Sequence, residues 1–390
     1  MNSASAPATP DNVAQDDAIR VLVVDDALVI RGMLSRILEE AGDISVVASA
    51  ADGESALARL KRNEVDVVVL DIEMPKMDGI TALPLIVEQY PDIQVIMAST
   101  LTKRNAEISL KALSLGAADY VTKPSSSGEL HGADAFKQEL QSKVRTLGKA
   151  ARRRARRTAP TPQFRAAKSM PAPRGSSNAA RSAAAAPSIA LRALHPFTPD
   201  AIAIGSSTGG PQALMRVITD IADIPQPIFI TQHMPATFTS ILAEHISRTS
   251  RRTCIEATDG LSVEGNKIYL APGDRHMLVK RQGARPVITL SDSPPENFCR
   301  PAVDPMLRSL SSVYGGKLLV TILTGMGSDG AKGATVCADA GAQILAQDEA
   351  TSVVWGMPGA VARAGICGAV LPLGEIGSII RNFAVNGGKS

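Results

Sequence analysis

Short apolar runs alternate with helix-length amphipathic stretches twice along this chain, and that pattern leaves few folds open. In the first half, Ile19–Val24, Ser45–Ser49, Val65–Leu70, Ile93–Ala98 and Asp119–Val121 read as strands. Between them Leu28–Glu40, Gly53–Arg62, Gly79–Gln89 and Asn105–Leu115 read as helices, and a last helix follows through about Phe136–Leu147. In the second half, strands at Ala201–Ile204, Pro227–Thr231, Lys317–Leu323 and Ala342–Leu345 alternate with helices at Pro211–Asp220, Thr239–Arg248 and Pro301–Tyr314. Alternation of this period predicts a parallel sheet with helices on both faces. The expected fold class is therefore α/β, with two doubly wound parallel-sheet domains joined by a flexible linker. Four shorter runs, Thr253–Ala257, Lys267–Ala271, Met277–Arg281 and Val287–Leu290, predict an antiparallel insertion in the second domain. Pro84 predicts a kink or a shortened helix, because proline removes a backbone donor and crowds the preceding turn.

Composition excludes several classes. Hydrophobic residues make up 45% of the 390, enough for packed cores, and aromatics only 3%, so those cores are aliphatic. No apolar run approaches the roughly 18 residues that span a bilayer. Met1–Asp17 is polar and lacks the apolar stretch of a secretory signal. The chain is thus expected in the cytoplasm, not inserted in a membrane. Cys254, Cys299, Cys337 and Cys367 are far apart with no CxxC pair, which fits reduced thiols better than a disulfide or metal framework.

Charge is unevenly spread. Thirteen Lys or Arg and no Asp or Glu lie between Lys143 and Arg192, and removing them from the net +3 leaves −10 for the rest. The expected organisation is a disordered tail (1–18), a first domain (19–140), a basic Ala/Arg/Pro-rich linker (141–198) and a second domain (199–385). Lys143–Arg157 could instead extend the last helix of the first domain. No aromatic residue interleaves the dense patch Arg152–Arg157 to stack on bases, so a solvated tether is expected and no nucleic-acid partner.

In such sheets ligands gather at the carboxyl ends of strands. In the first domain those ends carry Asp25 and Asp26, then Asp71, then Ser99 and Thr100, then Lys123-Pro124. Three carboxylates in one small space repel, and hard oxygen ligands in an open pocket suit Mg²⁺. An aspartate beside Mg²⁺ and a lysine can accept a phosphoryl group as an acyl phosphate. The segments Val23-Val24-Asp25-Asp26, Leu70-Asp71-Ile72-Glu73-Met74-Pro75-Lys76-Met77-Asp78-Gly79 and Tyr120-Val121-Thr122-Lys123-Pro124 resemble a two-component receiver domain over about residues 19–140. The resemblance implies a flavodoxin-like fold, Asp71 as phospho-acceptor, and Asp25, Asp26, Asp71 and the Glu73 backbone carbonyl as Mg²⁺ ligands. It also implies Lys123 as the phosphoryl-pairing cation, Ser99 as switch hydroxyl, with Thr100 adjacent, and Tyr120 as switch aromatic. A histidine kinase is the implied phosphodonor.

The second domain opens with Gly205-Ser206-Ser207-Thr208-Gly209-Gly210 between a strand and a helix start. Gly-x-Ser-x-Gly in that setting is either a nucleophile elbow, which pushes a serine hydroxyl outward, or a turn that only packs or holds a phosphate. Ser207 is centred in the glycine frame and Ser206 is the alternative. A serine needs a base and a histidine needs a carboxylate to fix its tautomer. His233 directly follows a buried strand, and Asp329 follows another; Asp304 is the runner-up acid. Among the remaining histidines, His276 sits in a turn and could line the cleft. The order Ser…His…Asp differs from that of ordinary α/β-hydrolases.

Ala203–Gly210, Thr231-Gln232-His233-Met234-Pro235, Tyr269–Asp274 and Leu323–Gly330 resemble the chemotaxis protein-glutamate methylesterases over about residues 199–385. The resemblance implies a Rossmann-like catalytic domain that hydrolyses glutamyl γ-methyl esters on methyl-accepting chemotaxis receptors and deamidates certain receptor glutamines. It implies Ser207 as nucleophile, His233 as base, Asp329 as orienting acid, and Thr208 and the Met326 backbone as support for the oxyanion, with no cofactor for the esterase step and a monomeric enzyme. The first domain is expected to pack over the cleft and inhibit it. The alternative is a non-enzymatic receiver-gated binding switch. Against it, no helix-turn-helix follows the first domain, and the Gly-rich turn lacks the lysine of a phosphate-binding loop.

Overall fold

The computed structural model describes residues 17–100, 102–123, 130–158 and 189–388. The first domain contains β1 (Ile19–Val24), α1 (Leu28–Glu39), β2 (Ile44–Ala50), α2 (Gly53–Leu60), β3 (Val67–Asp71), α3 (Gly79–Gln89), β4 (Gln94–Thr100), α4 (Lys103–Ser114), β5 (Asp119–Lys123) and α5 (Leu130–Thr158). Its five strands are parallel, in the order β2-β1-β3-β4-β5. Consecutive strand residues point to opposite faces, and both faces are covered. Val21, Val23, Val67 and Val69 pack with Leu34 and Leu38 of α1 and Leu140 and Val144 of α5. Leu22, Val24, Val68 and Leu70 pack with α2, α3 and α4. Burial on both sides explains why these strands read as unbroken aliphatic runs. α3 runs unbroken through Pro84, so the expected shortening is absent.

The second domain contains β6 (Ala201–Ser206), α6 (Gly210–Asp220), β7 (Ile228–Gln232), α7 (Ala236–Ser250), β8 (Cys254–Glu256), β9 (Ile268–Leu270), β10 (His276–Gln282), β11 (Arg285–Ser291), α8 (Val303–Tyr314), β12 (Leu318–Ile322), α9 (Ala331–Asp339), β13 (Gln343–Gln347), α10 (Met357–Arg363), β14 (Ala369–Leu371) and α11 (Leu373–Asn386). Seven strands form a parallel sheet in the order β14-β13-β12-β6-β7-β9-β8, and β10 and β11 form a separate antiparallel hairpin. The antiparallel insertion is therefore that hairpin alone. β8 and β9, expected within it, extend the parallel sheet, because Ile228 to Ile230 of β7 pair in register with Ile268 to Leu270.

The expected linker start at residue 141 is corrected by α5, which continues 29 residues to Thr158. Val144, Leu147 and Ala151 are buried against the first domain. Arg145 pairs with Asp43 at 2.6 Å and Arg152 with Asp66 at 2.9 Å. The basic residues here are thus partly spent on the first domain's carboxylates. Residues 189–198 lie on the second domain, where the Arg192 N–H donates to the Cys367 carbonyl and Phe197 packs on Phe383. The rest of the expected linker and most of the expected tail lie outside the described residues.

Candidate active site and phosphoryl site

Three carboxyl-terminal strand ends of the second sheet converge. β6 leads into Ser207, β7 into His233, and the loop after β12 into Asp329. The turn after β6 is tight: Gly209 adopts φ 74°, a left-handed conformation that a side chain would strain. The Ser207 N–H donates to the Thr324 carbonyl at 3.0 Å, and the Gln232 amide donates to the Ser207 and His233 carbonyls at 2.9 and 3.2 Å. Gln232, which the sequence did not single out, therefore fastens the serine turn to the histidine. Ser206, the alternative nucleophile, is fully buried and donates to Gln232 Oε1 at 2.7 Å. That leaves Ser207 as the hydroxyl at the turn's apex.

His233 Nε2 lies 2.7 Å from Asp329 Oδ2. Asp329 is buried and also accepts from the backbone N–H groups of Val303 (2.6 Å), Asp304 (3.0 Å) and Gly330 (2.9 Å) and from the Asn297 amide (2.9 Å). Two of those N–H groups open α8, whose positive end favours an anion. Burial raises the Asp329 pKa, but the His233 hydrogen bond and charge and the backbone donors outweigh it, and the carboxyl stays below its usual range. Asp304, the runner-up acid, accepts from Gly333 N–H and Asn297 and touches no histidine; burial and the Asp329 charge push its pKa up. His276 is also structural: its Nδ1 accepts from Ala302 N–H and its Nε2 lies 3.1 Å from the Pro294 carbonyl.

The second nitrogen of His233 does not meet Ser207. Its Nδ1 lies 3.3 Å from Cys299 Sγ, and among the described residues no hydrogen bond joins Ser207 Oγ to the ring. Burial opposes charge on this imidazole, yet Asp329 and Cys299 on its two nitrogens raise its pKa to about 10. Asn297 and Cys299 were missed from the sequence, where nothing links them to residues 233 and 329 except the fold itself.

In the first domain the expected cluster also forms. Ligand oxygens of Asp25, Asp26 and Asp71 lie within 4.8 Å of one another, at the ends of β1 and β3. Lys123 Nζ bridges Asp25 (2.6 Å) and Asp71 (2.7 Å). Burial raises the Asp71 pKa, and Asp25 adds to it against the pull of Lys123. An all-oxygen set with surplus negative charge fits a hard divalent cation. The Glu73 carboxylate is outside this cluster and faces Arg104 at 3.8 Å. Ser99 Oγ is buried, 3.2 Å from Ser109 Oγ, whereas Thr100 is exposed.

A family model described as CheB methylesterase matches residues 202–380, and one described as response regulator receiver domain matches 21–133. The chain is 55% identical to the protein-glutamate methylesterase/protein-glutamine glutaminase of Azospirillum brasilense, over 96% of this chain and 95% of that protein. It is 53% identical to the corresponding protein 1 of Paramagnetospirillum magneticum, over 94% and 97%. The chain belongs to the CheB methylesterase family. Among solved structures, the Thermotoga maritima CheB methylesterase catalytic domain is 39% identical, covers 48% of this chain and all of that one, and aligns with a TM-score of 0.47.

The receiver domain is seated on the second domain beside the serine turn. Thr208 Oγ1, one residue past Ser207, donates to Asp119 Oδ2 at 2.5 Å. The Gln212 amide, in the first turn of α6, donates to the Leu113 and Ala117 carbonyls at 2.8 and 2.6 Å. Tyr120 stacks on Phe238 of α7 with centroids 4.3 Å apart, and Lys143 sits 5.0 Å over the Tyr120 ring. Met326 Sδ, in the loop before Asp329, is 3.2 Å from Thr146 Oγ1 and 3.5 Å from Ser142 Oγ of α5. Thr208 and Met326, the two expected oxyanion-supporting residues, are thus both among the residues that the receiver touches.

Proposed function

We propose that this protein is a phosphorylation-gated serine esterase. It removes methyl groups from glutamate γ-methyl esters on methyl-accepting chemotaxis receptors, releasing methanol, and deamidates specific receptor glutamines, in chemotaxis adaptation. The observation that carries the reading is the convergence of the Ser207 turn with His233 and Asp329, the last two 2.7 Å apart. The names of its relatives supply the substrate class.

The chemistry follows from the residues. With Nε2–H directed at Asp329, Nδ1 is the basic nitrogen. It takes the Ser207 proton as Oγ attacks the ester carbonyl. Backbone N–H groups of the turn and the Met326 loop face the developing oxyanion. His233 returns the proton to the departing methoxide. Water, deprotonated in the same way, then cleaves the acyl-enzyme and leaves glutamate; an amide substrate gives ammonia instead.

Gating rests on β5. One end of this strand carries Lys123 on the phosphoryl site, and the other carries Asp119 on Thr208, next to Ser207, and Tyr120 on Phe238 of α7. Asp25, Asp26 and Asp71 would hold Mg²⁺, which neutralises the incoming phosphoryl group when bound. Phosphoryl transfer from a histidine kinase to the Asp71 carboxylate recruits Lys123 and Ser99 to the new oxygens. The shift of β5 loosens the Asp119–Thr208 and Tyr120–Phe238 contacts, so the receiver leaves the cleft.

Ser207→Ala is the test. Methanol release from methylated receptors should fall by about 10⁴-fold or more with the fold unchanged. Release at the wild-type rate would mean that this hydroxyl is not the nucleophile.

A further inference from the structure

The segment Glu296–Cys299 is a closed two-residue turn. The Glu296 N–H donates to the Cys299 carbonyl at 3.1 Å and the Cys299 N–H to the Glu296 carbonyl at 2.9 Å. Both central residues are left-handed, Asn297 with φ 53° and Phe298 with φ 63°. Such turns favour Asn followed by Gly. Asn obeys that rule here; phenylalanine does not, because a bulky side chain is disfavoured at positive φ. The turn is also firmly held. Glu296 pairs with Arg308 at 2.5 Å, and the Arg300 guanidinium donates to the Asp292 and Ser293 carbonyls.

Each neighbour of Phe298 is committed to the site. The Asn297 amide donates to Asp329 and Asp304, and Cys299 Sγ faces His233 Nδ1. Phe298 itself is wholly exposed, at 104% of its reference area. The closed turn holds its disfavoured backbone, but among the described residues no packing accounts for the bare aromatic ring. Strained, exposed groups of this kind cluster at binding sites.

We propose that Phe298 is a substrate-binding residue, an aromatic anchor on the cleft rim that packs against apolar side chains beside the esterified glutamate on the receptor helix. This rests on the receptor-methylesterase reading above. Consecutive Cα atoms are about 3.8 Å apart, so the ring projects one residue from the thiol that touches His233. The receiver seats on Thr208, Gln212, Phe238 and Met326, and Phe298 stays bare beside it. Its contribution should therefore persist in both the unstimulated and the phosphodonor-stimulated enzyme. Docking on a helical protein also separates receptor substrates from small esters, which need only the serine turn and the histidine.

The test compares wild type, Phe298→Ala, Phe298→Gly and Phe298→Tyr as full chains on two substrates: methylated receptor in membranes, and p-nitrophenyl acetate as a small-ester probe. Burying a phenylalanine on binding corresponds to about a tenfold effect or more. Phe298→Ala and Phe298→Gly should raise KM for receptor about tenfold with kcat little changed, leave the small-ester rate at the wild-type value, and be rescued by Phe298→Tyr. Phe298→Gly should also melt no lower than wild type, since glycine relieves the positive φ. Receptor KM unchanged in Phe298→Ala overturns the proposal while leaving the esterase reading intact. An equal loss on both substrates overturns it too, since the turn would then act only on the catalytic residues. A wild-type chain that cleaves the small ester but releases no methanol from receptor removes the parent reading, and this proposal falls with it.

Discussion

His233 holds Asp329 with one nitrogen and Cys299 with the other, and that arrangement sets the protonation of the ring. Asp329 and Cys299 hold a proton on this ring up to about pH 10, so the ring must shed that proton before Nδ1 can take one from Ser207. The sign for stability follows. The folded-state pKa lies above the ordinary value, so the charged ring's stabilisation is complete below about pH 6.5 and is lost as pH rises through about 10. Cys299→Ala removes one of the two groups that hold the proton. The His233 resonance in that variant should titrate at lower pH than in wild type when followed by NMR; an unchanged midpoint would show that Asp329 alone sets it. Ser207, His233 and Asp329 were legible because each follows a strand at the edge where such sheets gather ligands. Gln232, Asn297 and Cys299 were not, because a buried amide and a turn residue carry no local mark of the tertiary contact they make.

α4, α5 and β5 of the receiver meet α6, α7 and the Met326 loop of the second domain. α6 starts at the serine turn, and its Gln212 donates two hydrogen bonds to receiver carbonyls. At about 1 kcal/mol net each, these would bias the proposed two-state gate toward its closed arrangement. Gln212→Ala should raise unstimulated methanol release several-fold and reduce the further gain on adding phosphodonor. If both rates match wild type, the α6 contacts do not hold the gate. Most elements were visible in the apolar periodicity, since strands buried on both faces read as aliphatic runs. Two readings failed for physical reasons. β8 and β9 have three residues each, too short for their pairing partner to be inferred. The basic run after Lys143 read as linker from its composition, yet its arginines find Asp43 and Asp66 across the first domain, and Val144, Leu147 and Ala151 supply a buried stripe.

Across the chain, one buried apolar cluster joins Leu110, Leu113 and Tyr120 of the receiver to Leu214, Phe238 and Leu242 of the second domain. The receiver is therefore a packed cover over the face that carries Thr208 and Met326, with its phosphoryl cluster at one end of β5 and its grip on the second domain at the other. In the gating proposed above, phosphorylation is the input to such a cover and ester hydrolysis the output. The most direct test measures methanol release from methylated receptor membranes by the full chain in Mg²⁺, with and without a small-molecule phosphodonor, beside Asp71→Asn. The account predicts that the phosphodonor accelerates wild type and leaves Asp71→Asn at the unstimulated rate. Equal release by wild type in both conditions, or stimulation that survives in Asp71→Asn, would contradict it.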